Sequence, residues 1–194
     1  MRSEIKESKI IFNEFFTIER TRVCWEHFNG QMGRETTRYV IRRGDSVGLV
    51  AVCEQSKRII LIRQFRFPAL RMGEDGYLWE IPAGMVGKDE NPALTAEREL
   101  YEETGLRALK IRPLISFFLS PGALDERIHI FFTLVPECGR RLVTGNEEEG
   151  ENLLLDTFTR DDVTEMIRRG EIIDGKSIGA LLYFFTFSGG EGIS

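Results

Sequence analysis

Apolar and polar positions divide this chain into short extended runs punctuated by helical ones. Two extended runs, 15–28 and 35–43, flank Asn29-Gly30, a dipeptide suited to a tight turn, and predict an antiparallel hairpin. A break at Gly44-Asp45-Ser46 separates them from strands at 47–53 and 58–65, whose mixed Val, Ile and Leu content suits a sheet covered on both faces. The main domain is therefore expected over 46–194, with 1–45 as an amino-terminal β-hairpin arm.

After a polar stretch at 72–76, Leu78-Trp79-Glu80-Ile81-Pro82-Ala83-Gly84 reads as a short strand or turn. A helix follows. Pro92 fits its first turn, Ala93, Ala96 and Leu100 recur on one face, and Gly105 stands where a C-terminal cap belongs. Further strands are expected at 111–118, 127–135 and 152–158, the last preceded by an acidic turn at 147–151. Two more helices, 160–169 with Thr159 as N-cap and 176–187, close the chain.

Composition narrows the possibilities. A chain of 194 residues, 42% hydrophobic and 29% charged, can bury one sizeable core. A net charge of -5 argues against coating nucleic acid or an anionic membrane, so the expected partner is a small molecule or another protein. The opening MRSEIKESKI leads into no secretory core, and the richest apolar stretch, 178–187, is about half of the roughly 20 residues that cross a bilayer. A cytoplasmic location is the expectation. Cys24, Cys53 and Cys138 lack paired spacing and read as buried thiols.

The candidate chemistry lies on the first long helix. From Gly84 the chain runs five residues to Glu90, seven more, then Arg98-Glu99-Leu100-Tyr101-Glu102-Glu103-Thr104-Gly105-Leu106. At about 100° per residue, Glu99 and Glu103 lie about 40° apart beside the apolar stripe, while Glu102 projects toward solvent. Two carboxylates one turn apart repel, so something positive should sit between them. Oxygen donors without Cys or His select a hard cation, Mg²⁺ or Mn²⁺, rather than Zn²⁺. Arg98 can hold one of the acids by a forked hydrogen bond, and Gly84 lets the loop turn tightly and bring the Ala83 carbonyl toward a metal. Any one of these glutamates alone is simply a solvated helix residue; the complete spacing is what points to chemistry.

That spacing is the Nudix box, and the chain resembles the ADP-ribose pyrophosphatase branch of the Nudix hydrolases. Trp79 to Gly84 is similar to that branch's lead-in to the box, Arg63-Gln64-Phe65-Arg66 to its second core strand, and Asp174-Gly175-Lys176 to the start of its last helix. Pro121, within Ser120-Pro121-Gly122, matches a downstream proline associated with ADP-ribose specificity. The resemblance implies an α+β fold, an α/β/α sandwich around a mixed central sheet with the hairpin arm appended. It also implies a homodimer in which the arm is often exchanged.

Carried over by resemblance, the metal ligands are Ala83 through its carbonyl, Glu99 and Glu103, with Glu102 near enough to join a second ion. Arg66 and Arg38 match arginines that hold the substrate, Glu126 an acid that touches a ribose, and Met85 and Pro121 complete the substrate-binding candidates. In the resembling family a loop at the acidic turn supplies a catalytic glutamate; the adjacent acids of 147–151 are not separable by sequence and also read as a solvated loop, and Glu149 is read as general base and Glu151 as a further metal ligand, with Arg98 and Glu102 in support. Arg66 also reads as a surface arginine paired with a local acid, and Arg38 as an exposed strand residue. Trp25 or Phe28 either stacks on adenine or packs the hairpin.

The expected reaction is Mg²⁺-dependent hydrolysis of ADP-ribose to AMP and ribose 5-phosphate. GDP-mannose hydrolases share several of the same segments and are the rival within the family. A non-catalytic nucleotide sensor is the rival of another class, disfavoured because every box acid is present. An NADH pyrophosphatase lacks support, since that branch's four-cysteine zinc site has no counterpart.

Overall fold

The computed structural model describes residues 1–136, 142–144 and 152–188. They fall into two compact units. One comprises Met1–Asp45 with Phe118–Arg127, the other Ser46–Phe117 with the rest of the chain from Ile128.

The first unit carries a three-stranded antiparallel sheet, β1 (Ser3–Asn13), β2 (Thr17–Trp25) and β3 (Thr36–Arg42), in the order β1-β2-β3. The expected hairpin is β2 and β3, its turn closed where Gly30 N–H donates to the His27 carbonyl at 2.9 Å. The third strand, β1, was not anticipated. All eleven of its residues are exposed, so no buried face left a periodic signal, and backbone pairing to β2 with two register shifts holds it in place. Residues 120–127 join this unit through β3: Ile41 N–H donates to the Ala123 carbonyl at 2.8 Å, and Arg43 N–H to Asp125 Oδ1 at 2.7 Å.

The second unit is built on an eight-stranded mixed sheet. Its strands are β4 (Ser46–Cys53), β5 (Ile59–Phe65), β6 (Tyr77–Glu80), β7 (Ala83–Met85), β8 (Arg112–Phe118), β9 (Arg127–Val135), β10 (Leu142–Thr144) and β11 (Leu153–Phe158). The main order is β10-β11-β5-β4-β9-β8, with β6 paired to β5 and β7 to β4. β4 runs parallel to β9 and antiparallel to β5 and β7. Every residue of β4 is buried, as its unbroken apolar run requires.

Among the described residues four helices accompany the sheet: α1 (Phe67–Arg71), α2 (Pro92–Thr104), α3 (Arg160–Arg169) and α4 (Gly175–Phe187). Val47, Leu49 and Ala51 share one core with Phe131 and with Ala96 and Leu100 of α2. The next residue along β9, Phe132, stacks at 5.0 Å on Phe184 of α4. Successive strand residues face opposite sides of a sheet, so α2 and α4 cover opposite faces and the layering is helix, sheet, helix. Thr159 caps α3 in a reciprocal capping box with Asp162. Among the described residues no helix is long and apolar enough to cross a membrane.

Candidate active site

The expected helix forms as α2 because its ends are well signalled. Asn91 Oδ1 accepts from Ala93 N–H at 2.9 Å, Pro92 opens the first turn, and Gly105 takes a left-handed φ of 70° at the C-cap. This registration turns Thr95, Ala96, Leu100, Glu103 and Thr104 inward.

Glu103 is thus a carboxylate on the apolar face, 3% exposed. A buried carboxylate needs polar partners, and one is the Ala83 N–H, which donates to Glu103 Oε2 at 3.0 Å. That bond ties β7 to the helix at the residue whose carbonyl is the expected ligand. One turn earlier Glu99 keeps 15% of its side chain exposed and lies so close to Gly84 that any Cβ there would strike its carboxylate. Thr144, at the end of β10, donates through Oγ1 to the Glu103 carbonyl at 2.6 Å.

Arg98 makes more than the forked bond expected of it. Its Nη1 lies 2.8 Å from both Glu99 Oε1 and Glu102 Oε2, and its Nε 3.4 Å from Glu90 Oε1. Glu90 in turn accepts from Gly87 N–H at 3.0 Å. Partial burial opposes the charge on Arg98, but Glu90, Glu99 and Glu102 outweigh it and raise the guanidinium pKa. One arginine therefore bridges three box acids at once, Glu90 ahead of the helix and Glu99 and Glu102 on it, and offsets part of their charge. Glu102 is the most exposed of the three, as its helical position requires.

The donor chemistry fits a hard divalent cation: Glu99 and Glu103 offer carboxylate oxygens one turn apart, and a side chain at Gly84 would intrude on the first of them. Among the described residues no group of three or more acidic, histidine or cysteine side chains converges on one point. Glu149 and Glu151, the further acids expected from the sequence, lie outside the described residues.

Arg66 follows β5 and forms a fork with Glu80 of β6, Nε to Oε1 at 2.8 Å and Nη2 to Oε2 at 2.7 Å. The local acid, not solvent, is its partner. Glu80 is 1% exposed and also accepts from Lys176 Nζ, while Lys176 bonds Asp174 Oδ2 at 2.9 Å. Neither Glu80 nor Lys176 is among the residues the sequence singles out as candidates. The available signal was a charged residue within the apolar run of Leu78 to Ile81.

In the first unit, Arg38 is exposed; its guanidinium lies 5.1 Å from the Trp25 ring centre, and Nη1 donates to the Thr37 carbonyl at 3.1 Å. Trp25 is therefore half-buried under an arginine, whereas Phe28 is exposed. Glu126 is buried 3.5 Å from Arg43 Nε, and Pro121 is exposed in a turn where Leu124 N–H donates to the Ser120 carbonyl at 2.9 Å. Met85, in β7 of the second unit, is half-buried.

Comparison with known proteins identifies the family. Residues 42–178 match the NUDIX domain model. The ADP-ribose pyrophosphatase of Escherichia coli K12 is 30% identical over 178 residues, 92% of this chain and 85% of that protein. The GDP-mannose pyrophosphatase of Salmonella typhimurium is 32% identical over 182 residues, 93% of each chain. A solved structure described as an ADP compounds hydrolase superposes over 100% of this chain and 98% of its own with a TM-score of 0.76 at 20% identity, a likeness of fold. With the family model covering most of the sequence and relatives 30% and 32% identical over nine-tenths of it, the chain belongs to the Nudix family and is one of its hydrolases.

Proposed function

We propose that this hydrolase cleaves the diphosphate of a nucleoside diphosphate sugar, with ADP-ribose as substrate and AMP and ribose 5-phosphate as products. Water adds to one phosphorus, the bridging P–O bond breaks, and the bridging oxygen departs with the other phosphate. The observation that carries this reading is Glu103, a buried carboxylate held by the Ala83 N–H beside Glu99 and Gly84. Relatives named for ADP-ribose and GDP-mannose pyrophosphatase activity support the substrate class.

Nudix hydrolases generally require a divalent metal, and here Mg²⁺ is proposed, with Mn²⁺ able to replace it. Ala83 through its carbonyl, Glu99 and Glu103 would hold it, with Glu102 and Glu151 available to a second ion. Bound there, the metal would neutralise non-bridging diphosphate oxygens and lower the pKa of a bound water. Arg98 keeps the box acids apart, Arg66 and Arg38 bind the diphosphate and nucleotide, Glu126 the ribose, and Met85 and Pro121 line the substrate. Glu149 takes the proton of the attacking water.

Two further readings accompany this one. The protein is proposed to be a cytoplasmic homodimer in which the arm, 1–45, is exchanged and supplies Arg38 to the neighbouring site. The exposed Ile5, Ile10 and Phe12 of β1 support such a contact. GDP-mannose is the second substrate reading, favoured by the 32% identity to the Salmonella typhimurium enzyme. A panel of ADP-ribose, GDP-mannose, ADP-glucose and NADH, each with Mg²⁺ or Mn²⁺ and ranked by kcat/KM, tests the proposal. ADP-ribose should lead. A lead for GDP-mannose overturns the substrate and leaves the reaction class intact; binding without release of any monophosphate favours a sensor.

A further inference from the structure

Glu80 stands outside the box, yet it is the most buried charged side chain near it, at 1% exposed. Two cations converge on its carboxylate, the Arg66 fork and the Lys176 ammonium. Burial alone pushes the Glu80 carboxyl up, and Arg66 and Lys176 outweigh that effect, so the group stays ionised. The network continues through Lys176 to Asp174 Oδ2, which accepts from Ser177 Oγ at 2.5 Å. Ser177 Oγ accepts from the backbone N–H of Ile81 at 2.9 Å, so the chain of bonds returns to the residue after Glu80.

This circuit has two consequences. It pins the lead-in strand at Ile81, while Glu103 pins it two residues later at Ala83. It also fixes Arg66 in a single pose: Nε and Nη2 are engaged by Glu80, Nη1 lies outside the fork, and 40% of the side chain is exposed. The Glu80 hydrogen bonds are the main reason the Arg66 pKa rises, and Glu103 adds to the rise, so Arg66 lies within electrostatic reach of the box. Buried ion networks can often be replaced by apolar side chains without loss of stability, so stability alone does not call for four charges here. Orientation of Arg66 does.

We propose that Glu80 is a positioning residue for substrate binding, acting through Arg66 by clamping two of its nitrogens so that the third side of the guanidinium meets the diphosphate. The inference rests on the proposed hydrolysis of a nucleoside diphosphate sugar with Arg66 as a substrate contact. Such a clamp acts on ground state and transition state alike, so its loss should appear in KM rather than kcat.

The test is a double-mutant cycle on the full-length protein with Glu80→Gln and Arg66→Ala, measuring KM and kcat for whichever substrate of the panel the wild type turns over. Glu80→Gln should raise KM about tenfold or more with kcat within about threefold, and the same change should have little effect on KM once Arg66 is alanine. An unchanged KM, or an equal penalty in both backgrounds, overturns the inference while leaving the hydrolase reading in place. Wild-type protein that turns over no nucleoside diphosphate sugar overturns both. If Glu80→Gln gives no cooperative thermal melt, Glu80→Asp replaces it; the charge is kept but the carboxylate retreats by about 1.5 Å, one bond length, breaking the fork. The same pattern of KM changes is expected, and its absence again overturns the proposal.

Discussion

Gly84 and Glu99 approach each other as only glycine allows: a Cβ at position 84 would lie 2.0 Å from Glu99 Cδ and 2.3 Å from each carboxylate oxygen. Real side chains do not tolerate such contacts, so one partner must move. What moves is the end of a flexible glutamate, not backbone, so the fold should survive. Gly84→Ala should therefore cost little in thermal stability but reduce kcat about a hundredfold or more, the scale of losing several kcal/mol of metal stabilisation. Thermal melts beside steady-state kinetics at fixed Mg²⁺ check it; full activity with Glu99 displaced would remove Glu99 from the ligand set.

Helix α2 is only as well placed as its first turn. Asn91 Oδ1 accepts from the Ala93 N–H, and Asn91→Ala should cost about 1 kcal/mol, the usual value of an N-cap side chain. For a domain of this size that corresponds to a fall in Tm of about 2–4 °C. Calorimetry reads it directly, and no change in Tm would show that packing of Ala96 and Leu100 alone sets the helix start.

Acid should weaken the protein partly through Glu80. Its folded pKa is held below the ordinary value of 4.5 by Arg66 and Lys176, against the opposing effect of burial. A carboxylate lowered on folding stabilises above its unfolded pKa and loses that contribution as pH falls through the folded one. Denaturation midpoints followed from about pH 7 to about pH 3 should drop more steeply for wild type than for Glu80→Gln, which has no proton to take up there. Parallel acid limbs would contradict this assignment.

Arg98 pairs with Glu90, Glu99 and Glu102 through one planar group, and lysine cannot reproduce that geometry. Arg98→Lys should lower kcat/KM about tenfold or more and raise the Mg²⁺ concentration giving half-maximal rate, since unspaced acids repel. Kinetics across a Mg²⁺ series check both effects; unchanged half-maximal Mg²⁺ would make Arg98 a surface residue only.

What the sequence conveyed follows from range along the chain. Pro92, Ala96, Leu100, Glu103 and Gly105 act within one helix, so their periodicity and C-terminal cap are legible in the sequence, whereas the Asn91 cap emerges only from the structure. β4, buried on both faces, announced itself by an unbroken apolar run. β1 did not, because an exposed strand held by backbone pairing leaves no pattern in its side chains. The grouping of Phe118–Arg127 with the first unit depends on Ile41 meeting Ala123, and the Glu80 circuit on Lys176 lying 96 residues away. Neither is encoded in local spacing. Arg66 was legible as an arginine beside the box, but its fork to Glu80 needed the register of β5 against β6.

The proposed metal site turns on Glu103, a buried acid bonded to the Ala83 N–H. The most direct measurement is monophosphate release as a function of Mg²⁺ concentration for wild type and Glu103→Gln, which keeps the shape and removes the charge. The wild-type rate should rise from near zero and saturate with Mg²⁺, and the variant should lose about a hundredfold or more in kcat. A Glu103→Gln protein within about tenfold of wild type at every Mg²⁺ concentration would contradict it.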